Sequence, residues 1–298
     1  MMDRRQLAPN LDISRIVYGL WRLTEDPNHT PALAQAKIES CLAQGITTLD
    51  QADIYGGYAS EAALGDVFGA APELRDHVEV VTKCGIIAPV GRYADARVKY
   101  YDTSAAHINQ SVETSLRLMK TDYIDLLLLH RPDPFMDPED TGPALDALVT
   151  SGKVKAVGVS NFKPHDMALL SAAMSQPLVT NQIEISLTAS ESLTNGDLAY
   201  LQARNIPAMA WSPLGGGTLF NPENADLLSR LQALGTAHGT DAATIAYAWL
   251  LAHPAGIIPI VGTNSLDRIK AIGAAFNIHM DRETWFELYS LGTGHEVP

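Results

Sequence analysis

The sequence predicts a single-domain α/β protein of the (β/α)8, or TIM barrel, class over residues 1–298. Three observations support this prediction. Eight short apolar segments recur along the chain, and each of the last seven follows a stretch with a helical pattern. Parallel strands need such crossover connections, and eight strands close a barrel of this class. The segments also end in Asp, Lys, His, Asn, Gln or Ser, as expected at the catalytic rim of a barrel.

The predicted strands and helices follow one another in a regular order. The strands are predicted within 13–21, 45–56, 77–85, 123–133, 154–162, 178–186, 206–217 and 256–263. Thr30 and Pro31 predict the start of the first helix, as a cap and a first-turn proline, and Gly45 predicts its end. Ser104 predicts the start of a long amphipathic helix. Further helices are predicted at 60–70, 138–151, 163–174, 192–204, 241–252, 265–276 and 281–291.

Two long segments interrupt this order, 85–103 after the third strand and 215–225 after the seventh. Both follow strands directly, so they belong to the catalytic side of the predicted barrel. Long loops in that place usually shape a substrate or cofactor site, although packing alone is an alternative.

The composition argues against several classes of partner. A net charge of −13 disfavours nucleic acid and anionic membranes as partners. The two cysteines, Cys41 and Cys84, suggest no disulfide framework, which favours a reducing, cytoplasmic location. The first residues carry charges but no apolar run behind them, so neither a signal peptide nor a membrane span is expected. No spacing of His, Cys, Asp and Glu suggests a metal site.

Four polar residues at or just beyond the ends of the second, third and fourth strands form a candidate catalytic group. They are Asp50, Tyr55, Lys83 and His130. Neighbouring strands lie about 4.8 Å apart, so these side chains can converge. An ammonium lowers the pKa of a nearby phenol, and a carboxylate keeps that ammonium charged. Tyr55 is therefore the predicted proton donor, Lys83 its activator and Asp50 the anchor of Lys83.

His130 would orient the substrate carbonyl or share the proton. Each of the four residues has a structural alternative when considered alone; Tyr55, for example, is also a plausible loop anchor. Their occurrence together on consecutive strands favours catalysis.

The chain resembles the aldo-keto reductases at this point. The motifs that carry the resemblance are DQADIYG (50–56), VVTKCG (80–85), DYIDLLLLHRPD (122–133), VGVSNF (157–162), NQIEISL (181–187) and AWSPLGGG (210–217). They occur in the family's order on consecutive strands. The resemblance implies that Asp50, Tyr55, Lys83 and His130 are the family's catalytic tetrad. The C-terminus and the 85–103 loop are most similar to the bacterial branch of predicted oxidoreductases.

The resemblance also implies a nicotinamide cofactor, held without the glycine motif of a dinucleotide-binding Rossmann domain. Ser160, Asn161 and Gln182 would bind the carboxamide. Trp211 stands where the family usually has a tyrosine that stacks on the nicotinamide ring. The residues implied along the pyrophosphate are Ser212, Pro213, Leu214, Gly216 and Gly217, where glycine permits close backbone approach.

The adenosine end of the cofactor is expected at GTNSLDRIK (262–270), where the eighth strand meets a helix N-terminus. The resemblance assigns Arg268 and the Thr263 hydroxyl to the 2′-phosphate of NADP(H). Asn264 or Ser265 would cap the helix or bind the same phosphate. Gly262 replaces a lysine that many members carry. No acidic residue occupies the place that would hold a bare ribose, which favours NADP(H) over NAD(H).

The predicted function is NADPH-dependent reduction of an aldehyde or ketone to an alcohol, by hydride transfer and protonation from Tyr55. Trp21 would overhang the substrate, or plug the barrel rim. One alternative is a Schiff-base lyase with Lys83 as nucleophile, which Asp50 disfavours by keeping the lysine charged. The other is a non-enzymatic nicotinamide-binding sensor, which a complete tetrad disfavours. The expected state is a monomer or a weak homo-oligomer.

Overall fold

The computed structural model describes residues 4–298 and confirms the (β/α)8 barrel. The eight barrel strands are Val17–Gly19, Thr48–Asp50, Glu79–Cys84, Ile124–Leu129, Val154–Ser160, Leu178–Glu184, Ala208–Trp211 and Ile258–Val261. Each strand pairs in parallel with its neighbour in the chain, and the eighth pairs with the first through Ile260–Val17 and Val261–Tyr18. All eight carboxyl ends therefore face the same rim.

Apolar side chains fill the barrel on both sides of the strands. One buried cluster, which includes Val17, Val81, Leu128 and Met209, packs inside the barrel. A larger cluster fills the space between the strands and the surrounding helices. Burial of this apolar surface is the main stabilising term of the fold. It also gives the rim a rigid base.

The first predicted strand, 13–21, was too long. Its first residues belong to an antiparallel hairpin, Arg4–Ala8 with Leu11–Ser14, that the sequence analysis did not predict. Ile13 is buried and packs with Val17 inside the barrel, so one apolar run serves two elements. Arg4 binds Thr47 and Glu79 at the starts of two barrel strands. The hairpin therefore covers the end of the barrel opposite the catalytic rim.

The helices confirm most of the predicted positions. Those between the strands are Pro31–Leu42, Ser60–Ala70, Ala105–Met119, Pro138–Thr150, Pro164–Ala172, Asp197–Ala203, Ala225–His238 and Ala242–Leu251. Two more, Leu266–Ala271 and Arg282–Thr293, follow the eighth strand. The helix Ala225–His238 was missed, and 192–204 and 265–276 are shorter than predicted because 3-10 turns replace their ends.

The two long segments of the catalytic side contain local structure. In 85–103, Ile86–Ile87 pairs with Tyr100–Tyr101 in a short hairpin, and Gly91–Tyr93 forms a 3-10 turn. Residues 215–224 form the 3-10 turns Gly215–Phe220 and Pro222–Asn224. Within residues 4–298, every helix is too short or too polar to cross a lipid bilayer.

Candidate active site

The structure brings the four predicted catalytic residues together at the rim, with Lys83 at their centre. The Lys83 ammonium donates to Asp50 Oδ2 at 2.7 Å, to the Gln51 carbonyl at 2.8 Å and to the Tyr55 hydroxyl at 3.0 Å. The Tyr55 ring meets the His130 ring edge to face, with centroids 5.9 Å apart. One hydrogen-bonded chain thus runs from the carboxylate to the phenol.

The barrel sets this geometry through adjacent strands. Asp50 is the last residue of the second strand, and Lys83 is the penultimate residue of the third. Tyr55 begins the short helical turn Tyr55–Tyr58, in which Gly56, Gly57 and Tyr58 all have positive φ. This left-handed run costs glycine little, whereas a β-carbon makes it unfavourable at Tyr58. The turn folds the chain back so that the Tyr55 hydroxyl reaches Lys83.

The electrostatics of the group differ in part from the prediction for Tyr55. Burial raises the pKa of the Tyr55 phenol, and the charge of Lys83 pulls it in the predicted direction without cancelling that effect. Burial alone would lower the pKa of Lys83, but Asp50 and Tyr55 outweigh it, so the pKa is raised. At neutral pH the site therefore holds a protonated phenol hydrogen-bonded to an ammonium.

His130 is neutral in this surrounding. Burial, followed by the charges of Lys83, Arg131 and Lys99, holds the pKa of the imidazole well below its usual range. Its Nδ1 atom is buried and has no hydrogen-bond partner among the described residues. A neutral ring next to the phenol can donate one N–H to a carbonyl oxygen without carrying charge.

The residues expected at the nicotinamide lie together on the next three strands and already bind one another. Gln182 Nε2 donates to Asp50 Oδ1 at 2.7 Å, so this amide extends the Lys83–Asp50 chain. Ser160 Oγ donates to the Gln182 carbonyl at 2.9 Å, and Asn161 Nδ2 donates to Ser160 Oγ at 2.8 Å. The Trp211 indole N–H donates to Asn161 Oδ1 at 3.0 Å. This network fixes the indole ring at the rim.

The glycine-rich segment after the seventh strand adopts the backbone that its composition allows. Ser212, Gly215, Gly216 and Gly217 all have positive φ. A β-carbon at Gly217 would meet nothing within 4 Å, so its conformation, rather than crowding, requires glycine there. Pro213 and Leu214 lie between these turns. The segment leaves exposed backbone at Gly216 and Gly217.

The segment expected at the adenosine end is more exposed. Arg268 is exposed, and its backbone N–H donates to the Ser265 hydroxyl, which caps the short helix Leu266–Ala271. The Thr263 carbonyl accepts from the Tyr18 hydroxyl at 3.0 Å. Of the two candidate caps, Ser265 caps the helix, and the Asn264 side chain bridges two other elements.

The side chain of Asn264 accepts from Lys37 Nζ at 3.1 Å and donates to the Arg22 carbonyl at 2.7 Å. Lys37 is almost fully buried and also donates to Asp26 Oδ2 at 2.5 Å. The sequence analysis missed this bridge, since a lysine on a helix resembles a surface residue. Asn264 therefore contributes to the shape of the segment and not to the helix cap.

Further charged residues at the rim were also missed. The Arg131 guanidinium lies over the Trp211 ring, with its Cζ 5.9 Å from the ring centroid. Lys99, on the 85–103 segment, is exposed and close enough to lower the pKa of His130. Glu184 ends the sixth strand, and its pKa is raised by burial and by Glu191. The position of Arg131 directly after His130 was a signal for its place at the rim.

Trp21 lies beside Tyr55 in the catalytic group. Its side chain is 50% exposed, and its ring centroid is 6.4 Å from that of Tyr55. An indole this exposed does not plug the barrel. It forms a flat apolar wall beside the phenol.

The chain is similar to known proteins over nearly its whole length. Residues 15–292 match the model of the Aldo/keto reductase family. A protein of Agrobacterium fabrum named 6-dehydroglucose reductase is 62% identical over 296 residues, which cover 99% of this chain and 100% of that protein. A 6-dehydroglucose reductase of Novosphingobium aromaticivorans is 38% identical, with coverage of 99% and 97%.

A solved structure shows the same fold. The crystal structure of an aldo/keto reductase from Klebsiella pneumoniae, in complex with NADP and acetate, has a TM-score of 0.81. It is 24% identical, and the match covers 98% of this chain and 95% of that chain. At this identity the likeness concerns the fold of the barrel.

Proposed function

This chain belongs to the aldo/keto reductase family, and we propose that it reduces 6-dehydroglucose, a sugar with an aldehyde at C6, using NADPH. The observation that carries the proposal is the buried Asp50–Lys83–Tyr55 chain beneath an open rim. The substrate is suggested by two relatives that match nearly the whole chain and are named 6-dehydroglucose reductase. The reaction converts the aldehyde and one proton, with a hydride, into a primary alcohol.

The residues present fit a nicotinamide cofactor. The Trp211 ring is half-buried and held edge-on by Asn161, which leaves a face for stacking. Exposed backbone at Gly216 and Gly217 suits a pyrophosphate. Arg268 and the Thr263 hydroxyl suit a ribose 2′-phosphate, since a guanidinium can form two parallel hydrogen bonds to one phosphate. When bound, NADPH supplies the hydride for the carbonyl carbon.

Tyr55 supplies the proton to the carbonyl oxygen. Its raised pKa keeps the phenol protonated at neutral pH, so the donor is ready before reaction. As the oxygen gains negative charge, the proton passes from the Tyr55 hydroxyl, and Lys83 at 3.0 Å stabilises the phenolate that remains. Asp50 and the Gln51 carbonyl hold the ammonium in place throughout.

His130 would orient the carbonyl oxygen as a neutral donor. Its lowered pKa removes the cost of placing a second cation beside Lys83. A preorganised N–H directed at the developing oxyanion stabilises charge more strongly in a buried site than in water. Together, Tyr55 and His130, whose ring centroids are 5.9 Å apart, would donate to the same oxygen.

The rim suits a polyhydroxylated substrate. Indole rings such as that of Trp21 pack against the apolar face of a sugar ring, and Trp21 lies beside Tyr55. Arg131, Lys99 and Glu184 offer donors and acceptors for several hydroxyl groups. Arg131 is close enough to lower the pKa of Tyr55, and Arg131 and Lys99 are close enough to lower that of His130.

The same geometry disfavours a Schiff-base lyase. A lysine nucleophile must lose its proton, and the raised pKa of Lys83 opposes this. The ammonium also makes three hydrogen bonds, to Asp50, Gln51 and Tyr55. Attack by Lys83 on a carbonyl carbon would break these three hydrogen bonds.

The test is an assay of NADPH oxidation with 6-dehydroglucose, with chromatographic detection of glucose as the product. We expect turnover with 6-dehydroglucose to exceed that with simple aldehydes of equal concentration. Borohydride treatment with substrate should leave Lys83 unmodified in the mass spectrum. Turnover of simple aldehydes only would refute the proposed substrate, and a Lys83 adduct would refute the reductase mechanism.

We further propose a cytoplasmic enzyme that is a monomer or a weakly associating oligomer. Cys41 and Cys84 are buried free thiols, which supports a reducing compartment. Light scattering after size exclusion, at two protein concentrations, tests the oligomeric state. A stable dimer at both concentrations would contradict it.

A further inference from the structure

The 85–103 segment is attached to the turn that carries Tyr55. Gly91 lies so close to the Gly57 carbonyl oxygen that a β-carbon at Gly91 would collide with it. The Tyr58 hydroxyl donates to the Ile86 carbonyl at 3.0 Å and accepts from the Ala88 N–H at 2.9 Å. The proton-donor turn and the long segment therefore form one contact surface.

Arg92 makes the charged contact at this surface. Its Nη2 atom donates to Asp53 Oδ2 at 3.2 Å, and the Asp53 side chain is fully buried. The guanidinium also lies over the rings of Tyr58 and Tyr93, with its Cζ 4.8 and 5.2 Å from their centroids. Cation–π contacts of this kind hold an arginine in one orientation.

Asp53 depends on this partner. Burial and the nearby Glu61 carboxyl raise the pKa of Asp53 to about 8, whereas Arg92 and Lys83 pull it down. Its second oxygen, Oδ1, is buried and has no hydrogen-bond partner among the described residues. Ionisation of a buried carboxyl in this position is costly unless a cation faces it, and Arg92 is the cation nearest to Asp53 Oδ2. Asp53 lies two residues before Tyr55, and its N–H donates to the Lys83 carbonyl at 3.0 Å.

The other end of the segment carries Lys99. Lys99 precedes Tyr100, which pairs with Ile87 in the short hairpin, and the Asp102 N–H donates to the Gly85 carbonyl at 3.0 Å. Backbone contacts thus fix the two ends of the segment. Arg92 fixes the tip.

We propose that Arg92 is a positioning residue for substrate selection, which fixes the tip of the 85–103 segment against the Tyr55 turn and so limits the motion of this segment at the rim. The proposal rests on the proposed function, because it assumes that the rim selects hydroxylated aldehydes. Arg92 itself touches Asp53, Tyr58 and Tyr93 and lies outside the catalytic chain. Its removal should loosen the segment without altering the proton donor.

The test compares two three-carbon aldehydes, glyceraldehyde with two hydroxyl groups and propanal with none. Arg92→Met should lower kcat/KM for glyceraldehyde by about tenfold, mainly by raising KM, because a mobile segment binds hydroxyl groups less well. The kcat/KM for propanal should fall by less than about threefold, because propanal has no hydroxyl group. Arg92→Lys, which keeps the charge, should restore most of the loss. Arg97→Met, an exposed charge change on the same segment, is the matched control and should leave both values unchanged.

Two further measurements separate positioning from a general loss of structure. In Arg92→Met, hydrogen exchange should increase in the amides of 86–102 but not in the barrel strands. The effects of Asp53→Asn and Arg92→Met should not add in the double variant, because both remove one contact. The affinity for NADPH, measured by fluorescence, should stay unchanged.

Equal losses for both aldehydes in Arg92→Met, unchanged selectivity or exchange that spreads through the barrel would each overturn the proposal. The assay is independent of 6-dehydroglucose. If the wild type fails to reduce 6-dehydroglucose but Arg92→Met still changes the glyceraldehyde-to-propanal ratio, the substrate assignment fails and the role of Arg92 stands.

Discussion

The catalytic end and the adenosine end of the candidate site are built in opposite ways. At the catalytic end, Lys83 and Asp50 are almost fully buried, and a hydrogen-bonded chain joins them to Tyr55 and Gln182. At the adenosine end, Arg268 is exposed, and its side chain makes no ion pair among the described residues. The first end is rigid before any ligand arrives, whereas the Arg268 side chain at the second end would form its ion pair only with a ligand.

This difference follows from what each end must do. Proton transfer needs donors fixed within a fraction of an ångström, and burial makes electrostatic contacts strong. Binding a phosphate needs only a cation, a hydroxyl and access from solvent. Substitutions at the catalytic end should therefore affect turnover, and those at the adenosine end should affect affinity and cofactor choice.

The largest expected effect belongs to Tyr55→Phe. The change removes the proton donor and leaves the ring, so kcat should fall by about 10²–10⁴-fold. The affinity for NADPH should remain nearly unchanged, since the phenol hydroxyl binds Lys83. Steady-state kinetics and a fluorescence titration measure the two quantities. Near-normal turnover would show that another group supplies the proton.

Lys83→Met should lower turnover and stability together. It leaves Asp50 buried without its cation, a change that costs about 3–5 kcal/mol in comparable buried pairs. Without the ammonium, the pKa of Tyr55 should rise further, so the pH profile of turnover should shift. Thermal unfolding and a pH–rate series check both effects. An unchanged melting temperature would contradict the buried pair.

Arg268→Ala probes the opposite end. A charge-assisted contact contributes about 1.5–3 kcal/mol, which corresponds to roughly a tenfold to hundredfold loss of NADPH affinity. NADH affinity should hardly change, because NADH has no 2′-phosphate. Parallel titrations with both cofactors test this. Equal losses for the two would mean that Arg268 does not recognise the 2′-phosphate.

Asn264→Ala should weaken both cofactors by the same modest factor. Its side chain binds Lys37 and the Arg22 carbonyl, so it shapes the segment that holds Arg268. Loss of such contacts costs about 0.5–1.5 kcal/mol, or roughly twofold to tenfold. The same titrations apply. A loss confined to NADPH would instead make Asn264 a direct phosphate ligand.

The smallest effect near neutral pH concerns His130. Its pKa in the folded protein lies well below 6.5, so protonation is favoured in the unfolded chain. The contribution of His130 to the free energy of unfolding is fully present above about pH 6.5. It is lost as the pH falls through the lower pKa that His130 has in the folded protein. Urea unfolding measures the free energy of unfolding of the wild type and of His130→Gln between about pH 5 and pH 8. Below about pH 6.5 this free energy should fall more steeply with decreasing pH in the wild type than in His130→Gln. A parallel pH dependence in both proteins would contradict the neutral imidazole.

The sequence was informative where chemistry and chain order coincide. Asp50, Lys83 and His130 end consecutive apolar segments, and consecutive parallel strands are neighbours, so their proximity followed from order alone. The same argument placed Ser160, Gln182 and Trp211 on the following strands. The caps at Thr30, Ser104 and Ser265 were also local, because a side chain there bonds an amide three residues away.

The tertiary structure decided what depends on contacts between distant segments. The sequence predicted Ile13 as part of a barrel strand, and only its backbone pairing with Arg5 assigned it to the N-terminal hairpin. The sequence made no prediction for Lys37 or Arg92, because their partners, Asp26 and Asn264 for Lys37 and Asp53 for Arg92, come from other segments. The direction in which the pKa of Tyr55 shifts also depends on the tertiary structure, because burial raises this pKa and Lys83 lowers it. Local pattern fixes what a residue can do, whereas burial and partners from remote segments fix what it does.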